Sequence, residues 1–160
     1  FIKNEFVSLI RNNYSPTCIA GVATGGIAIG ALVAEELQVP FCYVRSSAKA
    51  HGMKNNIEGD LKKTDDVFVI EDLISSGKSS LKAVRDLRDY GVNVIGLGAI
   101  FTYGFQTSID NFKSESCIFS TLSDYNVLID TALEKKYISE KDLETLNHWR
   151  NAPANWNPNA

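Results

Sequence analysis

The chain has 160 residues, of which 44% are apolar and 22% charged, and its formal net charge at pH 7 is −3. This length and composition are typical of one folded globular domain, and they exclude a disordered or fibrous chain. The slight acidity gives no electrostatic basis for binding nucleic acid, and no apolar run reaches the roughly 18 residues of a membrane span. We therefore expect a single cytoplasmic domain over residues 1–160, with no nucleic acid and no membrane as partners.

The first half of the chain alternates between helical and extended patterns. Residues 1–13 have the spacing of an amphipathic helix rather than of a signal peptide. The apolar run CIAGVA, residues 18–23, predicts a buried strand that ends in the turn Thr24-Gly25-Gly26. Helical spacing over 27–37 and the apolar run at 41–45 then complete a β-α-β unit.

Residues 46–66 are polar and show no usable periodicity, which indicates a mobile or functional loop. The sequence VFVI, residues 67–70, predicts a third strand, and residues 79–90 predict the helix that follows it. Residues 92–101 predict a fourth strand, and Gly91 provides the turn before it.

The last third of the chain predicts a short helix at 108–112, a fifth strand at 117–122 and C-terminal helices within 125–150. Ser139 with Asp142 three residues later forms a variant capping box for the last helix. Alternating strands and helices predict an α/β fold, a parallel twisted sheet of about five strands with helices on both faces. Ligands of such sheets bind at the carboxyl ends of the strands.

Three cysteines lie far apart inside apolar segments, at Cys18, Cys42 and Cys117. Their spacing matches neither a zinc site nor a disulfide framework. We therefore predict three buried thiols.

Two adjacent acids, Glu71 and Asp72, follow the third predicted strand, and a Ser/Gly loop with one lysine follows them. The tail of this loop, Gly77-Lys78-Ser79, looks like the end of a nucleotide-binding P-loop. That motif requires glycine five positions before Gly77, where the chain instead has Asp72, whose charge would repel phosphate. A P-loop is therefore rejected.

The same segment suits a sugar phosphate better. Backbone N–H groups at a strand-to-helix turn, together with the positive end of the helix, can bind one phosphate group at residues 75–79. Glu71 and Asp72 can accept hydrogen bonds from vicinal ribose hydroxyls. The segment therefore predicts a site for a ribose 5-phosphate.

The stretch VFVIEDLISSGKSS, residues 67–80, resembles the phosphoribosyl pyrophosphate signature of the type I phosphoribosyltransferases. The residues YVRSSAKAHGMKNNIEGDL, at 43–61, are similar to the mobile catalytic loop of that family, and GVATGGIAIGALVA, from residue 21, is similar to its pyrophosphate loop. Arg45, Lys49, His51 and Gly52 match the pattern of the catalytic loop. Within the family, the chain most resembles the orotate phosphoribosyltransferases.

This resemblance implies the type I phosphoribosyltransferase fold and transfer of the phosphoribosyl group from phosphoribosyl pyrophosphate to orotate in pyrimidine biosynthesis. It implies a catalytic role for Lys49, His51 and Asp72, and a pyrophosphate loop at Thr24, Gly25 and Gly26. The implied contacts with phosphoribosyl pyrophosphate are Arg45, Lys49, His51, Glu71, Asp72, Leu73, Ile74, Ser75, Ser76, Gly77, Lys78 and Ser79.

The resemblance also implies contacts of orotate with Ser75 and Tyr103, and a Mg²⁺ ion held mainly through the substrate rather than by direct protein ligands. It further implies a homodimer in which the mobile loop of one subunit reaches the site of the other. These implied donors make chemical sense, since diphosphate is a highly charged leaving group and a closing loop excludes water.

The chain departs from the family pattern at three places. Ser46 stands where many members have a second lysine, for which Lys54 is a possible substitute, and Tyr103 stands near the place of an arginine that contacts orotate. We also expect the chain to lack the N-terminal segment that covers the base in the family, because it begins at Phe1 in apparent mid-fold. Base specificity and the activity of this fragment alone therefore stay open.

Two alternatives to transfer onto orotate follow from these departures. A purine base could be the acceptor, which a panel of bases would reveal. A regulator that senses phosphoribosyl pyrophosphate and binds nucleic acid is the other alternative, although the chain shows no basic face.

Overall fold

The computed structural model of the chain describes residues 1–45, 56–153 and 155–157. Its helices are α1 (Ile2–Asn13), α2 (Gly25–Leu37), α3 (Lys78–Tyr90), α4 (Gln106–Ser114), α5 (Tyr125–Glu134) and α6 (Glu140–Asn151). Its strands are β1 (Cys18–Val22), β2 (Phe41–Val44), β3 (Ile57–Gly59), β4 (Asp66–Ile74), β5 (Asn93–Thr102) and β6 (Phe119–Asp124). The predicted elements are all present in this order.

The strands form one six-stranded sheet in the order β3-β2-β1-β4-β5-β6. Five of these strands are parallel, and Ala20 of β1 pairs with Cys42 of β2 on one side and Val69 of β4 on the other. The predicted α/β fold with a parallel sheet is therefore confirmed.

The sixth strand is β3, which lies within the segment 46–66 that was expected to be a loop without regular structure. It pairs antiparallel with β2 at the edge of the sheet, with Val44 opposite Ile57 and Cys42 opposite Gly59. A strand of three residues with one buried side chain, Ile57, is too short to show an alternating pattern in the sequence. Its extended conformation is stabilised by the pairing with β2. The expected loop therefore cannot extend unbroken to residue 66.

Side chains of the central strands alternate between two apolar layers. Phe68 and Ile70 of β4 pack on one face of the sheet with α1 and α2, whereas Val67 and Val69 pack on the other face with α3. All four side chains are fully buried, and burying one side chain of this kind contributes about 1.5 to 3 kcal/mol. The helices therefore cover both faces, as the alternation of elements predicted.

Strand β4 is longer than its apolar run VFVI suggested, because Leu73 and Ile74 continue it after the two acids. Its pairing with β5 extends to Ile74 opposite Thr102. The two acids therefore lie within the paired part of β4 rather than after the strand. As neighbours in a strand, their side chains face opposite sides of the sheet.

Three further predictions concern local features. Cys18, Cys42 and Cys117 are free and buried, as predicted. The capping box at the start of α6 is also confirmed, since the backbone N–H of Ser139 donates to Asp142 Oδ2 at 2.8 Å. Within the described ranges, no helix combines the length and the apolar character that crossing a bilayer requires.

Candidate functional site

The turn after β1 lies against the carboxyl end of β4, and glycines make this approach possible. A Cβ atom at Gly25 would lie 2.0 Å from Asp72 Oδ2, and one at Gly26 would lie 2.3 Å from the carbonyl oxygen of Ile70. Both distances are far below a van der Waals contact, so neither position accepts a side chain without movement. The predicted pyrophosphate loop and the predicted ribose-binding acid therefore share one surface.

The predicted phosphate loop, residues 75–79, joins β4 to α3. Gly77 has a φ of 77°, and a Cβ atom there would lie 2.6 Å from Cε2 of the buried Phe112. The side-chain amide of Asn111 donates to the carbonyl oxygen of Ser76 at 2.9 Å and fixes the loop from α4. The local conformation therefore needs glycine at position 77.

Helix α3 begins directly after Gly77, and no side chain of the described residues caps its first turn. The first N–H groups of a helix have no partners within the helix and carry a partial positive charge. Ser75, Lys78 and Ser79 are exposed around this end of the helix. The arrangement suits one phosphate group.

The two acids that sequence analysis treated as a pair have different environments. Asp72 is exposed, and its Oδ1 accepts a hydrogen bond from the backbone N–H of Leu73 at 2.8 Å. Glu71 is 4% exposed, and its carboxyl group accepts from the hydroxyl of Ser80 at 2.9 Å and from the backbone N–H of Asp72 at 3.1 Å. Asp72 thus presents its carboxylate to solvent whereas Glu71 faces Ser80, and contact of both acids with the ribose stays a prediction.

Burial raises the pKa of Glu71 from its usual 4.5 to about 8, and a hydrogen bond with the Asp72 side chain adds to this rise. Glu71 is therefore largely protonated at neutral pH, which leaves one negative charge at the pair. The hydrogen bond from Ser80 acts in the opposite direction and does not cancel the effect of burial.

Arg45, a predicted donor to diphosphate, follows β2 and is bound to β3. Its Nη1 lies 3.1 Å from Oε1 of Glu58, and the hydroxyl of Tyr43 donates to Oε2 of the same carboxylate at 2.6 Å. Arg45 also lines a small cavity together with Ala23, which precedes the predicted pyrophosphate loop, and Ser79, the last residue of the predicted phosphate loop. Lys49 and His51, the other predicted donors of this segment, lie outside the described residues.

A cavity of about 540 Å³ opens beside the phosphate loop. Its lining consists of Ser75, Ser76, residues 104–107, Arg150, Asn151 and Pro153. Ser75, for which the resemblance implied a contact with orotate, is thus one of the residues that line this cavity.

Tyr103, the other predicted contact of the base, has its ring in an aromatic cluster and is not part of this lining. The ring stacks on Phe105 at 5.3 Å and meets Trp149 edge-on at 5.5 Å between centroids. Its carbonyl oxygen accepts from Nε of Arg150 at 3.2 Å. A positively charged side chain is therefore present beside the end of β5, but it is Arg150 of α6 and not a residue of β5.

Two members of the predicted phosphate segment differ in exposure. Leu73 is 38% exposed, whereas the side chain of Ile74 is fully buried in the core and its carbonyl oxygen accepts from the N–H of Tyr103. The side chain of Ile74 therefore faces the core and not the phosphate loop. The apolar character of Ile74 is the signal that could have removed its side chain from the prediction.

Sequence reasoning did not identify Ser80, Asn111 and Arg150 as parts of this region. Ser80 holds the carboxyl group of Glu71, Asn111 holds the loop at Ser76, and Arg150 lines the cavity. Each of these residues contacts the site from a distant position in the sequence or through a buried hydrogen bond, and no local sequence pattern reveals such a contact. Only the position of Ser80, nine residues after Glu71, lies within a motif that had been recognised.

The described ranges contain no group of three or more His, Cys, Asp or Glu side chains arranged to hold a metal ion. Asp72 is an exposed carboxylate, and carboxylate oxygens are ligands that Mg²⁺ accepts. The residues thus fit a metal that takes most of its ligands from a bound substrate and water.

Comparison with known proteins gives one consistent family. The model of the phosphoribosyl transferase domain matches residues 2–134. The orotate phosphoribosyltransferase of Phocaeicola vulgatus is 50% identical over 157 residues, which cover 98% of this chain and 74% of that protein.

Solved structures show the same fold. Orotate phosphoribosyltransferase from Aeropyrum pernix gives a TM-score of 0.72 at 23% identity, covering 81% of this chain and 73% of that one. Orotate phosphoribosyltransferase from Mycobacterium tuberculosis H37Rv, in complex with 5-phospho-alpha-D-ribosyl 1-diphosphate, gives 0.65 at 20% identity, covering 78% and 72%.

We predict that Glu71→Gln removes a pH dependence of stability. Because the pKa of Glu71 is higher in the folded protein, its proton stabilises the fold fully below pH 4.5, and this contribution is lost as pH rises to about 8. Wild-type protein should lose on the order of 2 to 4 kcal/mol over this range relative to the variant. Urea unfolding at a series of pH values measures the difference, and parallel curves for the two proteins would contradict the assignment.

Proposed function

The chain belongs to the orotate phosphoribosyltransferase family, and we propose that it binds phosphoribosyl pyrophosphate where the turn after β1 meets the end of β4. The single observation that carries this proposal is the contact of the exposed Asp72 carboxylate with Gly25, beside the uncapped start of α3. It brings an acceptor for ribose hydroxyls between two groups of backbone N–H donors.

The enzyme transfers the 5-phosphoribosyl group from phosphoribosyl pyrophosphate to orotate and releases pyrophosphate, a step of pyrimidine biosynthesis. In this reaction, N1 of orotate forms a bond to C1 of the ribose. The bond from C1 to the diphosphate oxygen breaks, and its electron pair leaves with diphosphate. A relative at 50% identity that is an orotate enzyme favours this acceptor over the purine alternative and over a sensing regulator.

The ribose and its 5-phosphate are held by β4 and the loop after it. Asp72 accepts hydrogen bonds from the ribose hydroxyls, whereas Glu71 supports it from the buried side by accepting a hydrogen bond from the backbone N–H of Asp72. The N–H groups at the start of α3, with the hydroxyls of Ser75 and Ser79, bind the phosphate. Because Glu71 is largely neutral at pH 7, the pair carries only one charge near the anionic substrate.

The leaving diphosphate lies at the turn Thr24-Gly25-Gly26 in this proposal. Arg45 reaches it by leaving Glu58, which is half-exposed and can be solvated when the pair separates. Lys49 and His51 are proposed as further donors, since they match the catalytic-loop pattern of the family. A bound Mg²⁺ ion would take most of its ligands from the substrate and water, beside the exposed carboxylate of Asp72, and it would supply positive charge that stabilises the leaving group.

The proposed site predicts which acid the reaction needs. Asp72→Asn should lower kcat/KM for phosphoribosyl pyrophosphate by roughly 10- to 100-fold, because an acceptor with full charge is lost. Asp89→Asn, at an exposed position near the end of α3, is the matched control. The assay follows orotidine 5′-monophosphate formed by the full-length protein with Mg²⁺. No product, or a higher kcat/KM with adenine or xanthine than with orotate, would contradict the proposed function.

We also propose a cytoplasmic homodimer in which Lys49 and His51 of one subunit act in the site of the other. The three free cysteines are consistent with a reducing compartment. The dimer rests on resemblance to the family alone. It therefore needs a direct test.

Hybrid dimers provide that test. Lys49→Ala and Asp72→Ala subunits should each be nearly inactive alone, and mixing them should restore up to about a quarter of wild-type activity per subunit, since only some of the sites combine two intact halves. Refolding the two variants together, with each variant refolded alone as a control, makes the measurement. No recovery in a preparation shown by mass spectrometry to contain hybrids would refute sharing of the site.

A further inference from the structure

The cavity beside the phosphate loop contains a cation that the reaction described above does not yet use. Arg150 of α6 lines this cavity with Ser75, Ser76 and Phe105. Residues of the phosphate loop and Arg150 thus line the same cavity. A molecule in the cavity would contact both.

The partners of Arg150 are all uncharged. Its Nε donates to the carbonyl oxygen of Tyr103 at 3.2 Å, Nη1 donates to Oδ1 of Asn126 at 2.9 Å, and Nη2 donates to the carbonyl oxygen of Gly104 at 3.5 Å. In the part of the chain that the structure describes, no carboxylate lies within 4.0 Å of these nitrogens. The half-buried positive charge therefore has no counter-charge among these residues.

The position of the guanidinium group is fixed by its surroundings. Its central carbon lies 5.6 Å from the ring centroid of Tyr125, which is itself buried and 5.5 Å from the ring of Trp149. Arginine has five N–H donors, and the three hydrogen bonds above leave two of them for a ligand. Two donors on one planar group match the two oxygens of a carboxylate.

We infer that Arg150 binds the carboxylate of orotate and is a specificity-determining residue for the acceptor. This inference rests on the proposed function, because it assigns the cavity to the acceptor of the same reaction. An acceptor without a carboxylate leaves the charge of Arg150 without a partner inside the cavity, and such a loss discriminates strongly between substrates. Arg150 would thus select a carboxylated pyrimidine over uracil, which has the same ring without that group.

A purely structural role for Arg150 makes a different prediction, since its bonds to Tyr103 and Gly104 also tie α6 to the end of β5. Arg88 provides the matched control. It donates in the same way to the carbonyl oxygens of Glu115 and Ser116, at 2.7 and 3.3 Å, but it does not line the cavity. Arg88→Gln therefore shows the effect of losing hydrogen bonds from an arginine side chain to backbone carbonyl oxygens, without any change to the cavity.

The experiment compares Arg150→Gln, Arg150→Lys and Arg88→Gln in the full-length protein. It measures KM for orotate, KM for phosphoribosyl pyrophosphate, the inhibition constant of uracil against orotate, and the melting temperature. We expect Arg150→Gln to raise KM for orotate about 10- to 100-fold, with KM for phosphoribosyl pyrophosphate and the inhibition constant of uracil within about 2-fold of wild type. Arg150→Lys keeps the positive charge but loses the planar guanidinium group with its paired N–H donors, so it should give a smaller rise in KM for orotate.

An unchanged KM for orotate in Arg150→Gln would overturn the inference. A parallel rise in all three constants, with the same pattern in Arg88→Gln, would also overturn it in favour of a structural role. If Arg150→Gln does not fold, the same criteria apply to Arg150→Lys. Absence of orotidine 5′-monophosphate with wild-type protein would instead overturn the proposed function itself.

Discussion

The contact between Gly25 and the carboxylate of Asp72 is the constraint on which the site depends. It exists because β1 and β4 are neighbours in a parallel sheet, so that the turn after one strand meets the end of the other. Gly26 permits the same approach against the carbonyl oxygen of Ile70. A side chain at either glycine would separate the predicted diphosphate loop from the predicted ribose acceptor, and the two would no longer serve one substrate.

The different environments of Glu71 and Asp72 follow from the length of β4. Since Leu73 and Ile74 continue the strand, neighbouring side chains face opposite sides of the sheet, and Glu71 turns inward to Ser80 while Asp72 stays exposed. Burial then keeps a proton on Glu71 at neutral pH. A site for an anionic sugar thus presents one negative charge instead of two, which limits repulsion of the phosphates.

Much of the fold and the position of the site could be predicted from the sequence, because their signals are local. The run CIAGVA with its glycine turn, and VFVI with the acids and the Ser/Gly loop, each lie within about fourteen consecutive residues. The rest depends on contacts that no local pattern contains. Strand β3 is stabilised by pairing with β2, and the buried carboxyl group of Glu71 is bound by the hydroxyl of Ser80. The position of Arg150 depends on its contact with Tyr125, which packs on Trp149.

Binding of phosphoribosyl pyrophosphate to Gly25→Ala tests the central claim most directly. The added Cβ would displace the Asp72 carboxylate, so calorimetry with Mg²⁺ should show an affinity at least about tenfold weaker than that of wild type. Gly91→Ala strains a backbone with a φ of 105° away from the site and should bind as wild type does, although its melting temperature falls. Wild-type affinity in a folded Gly25→Ala protein, or no binding by the wild type at millimolar Mg²⁺, would contradict the account.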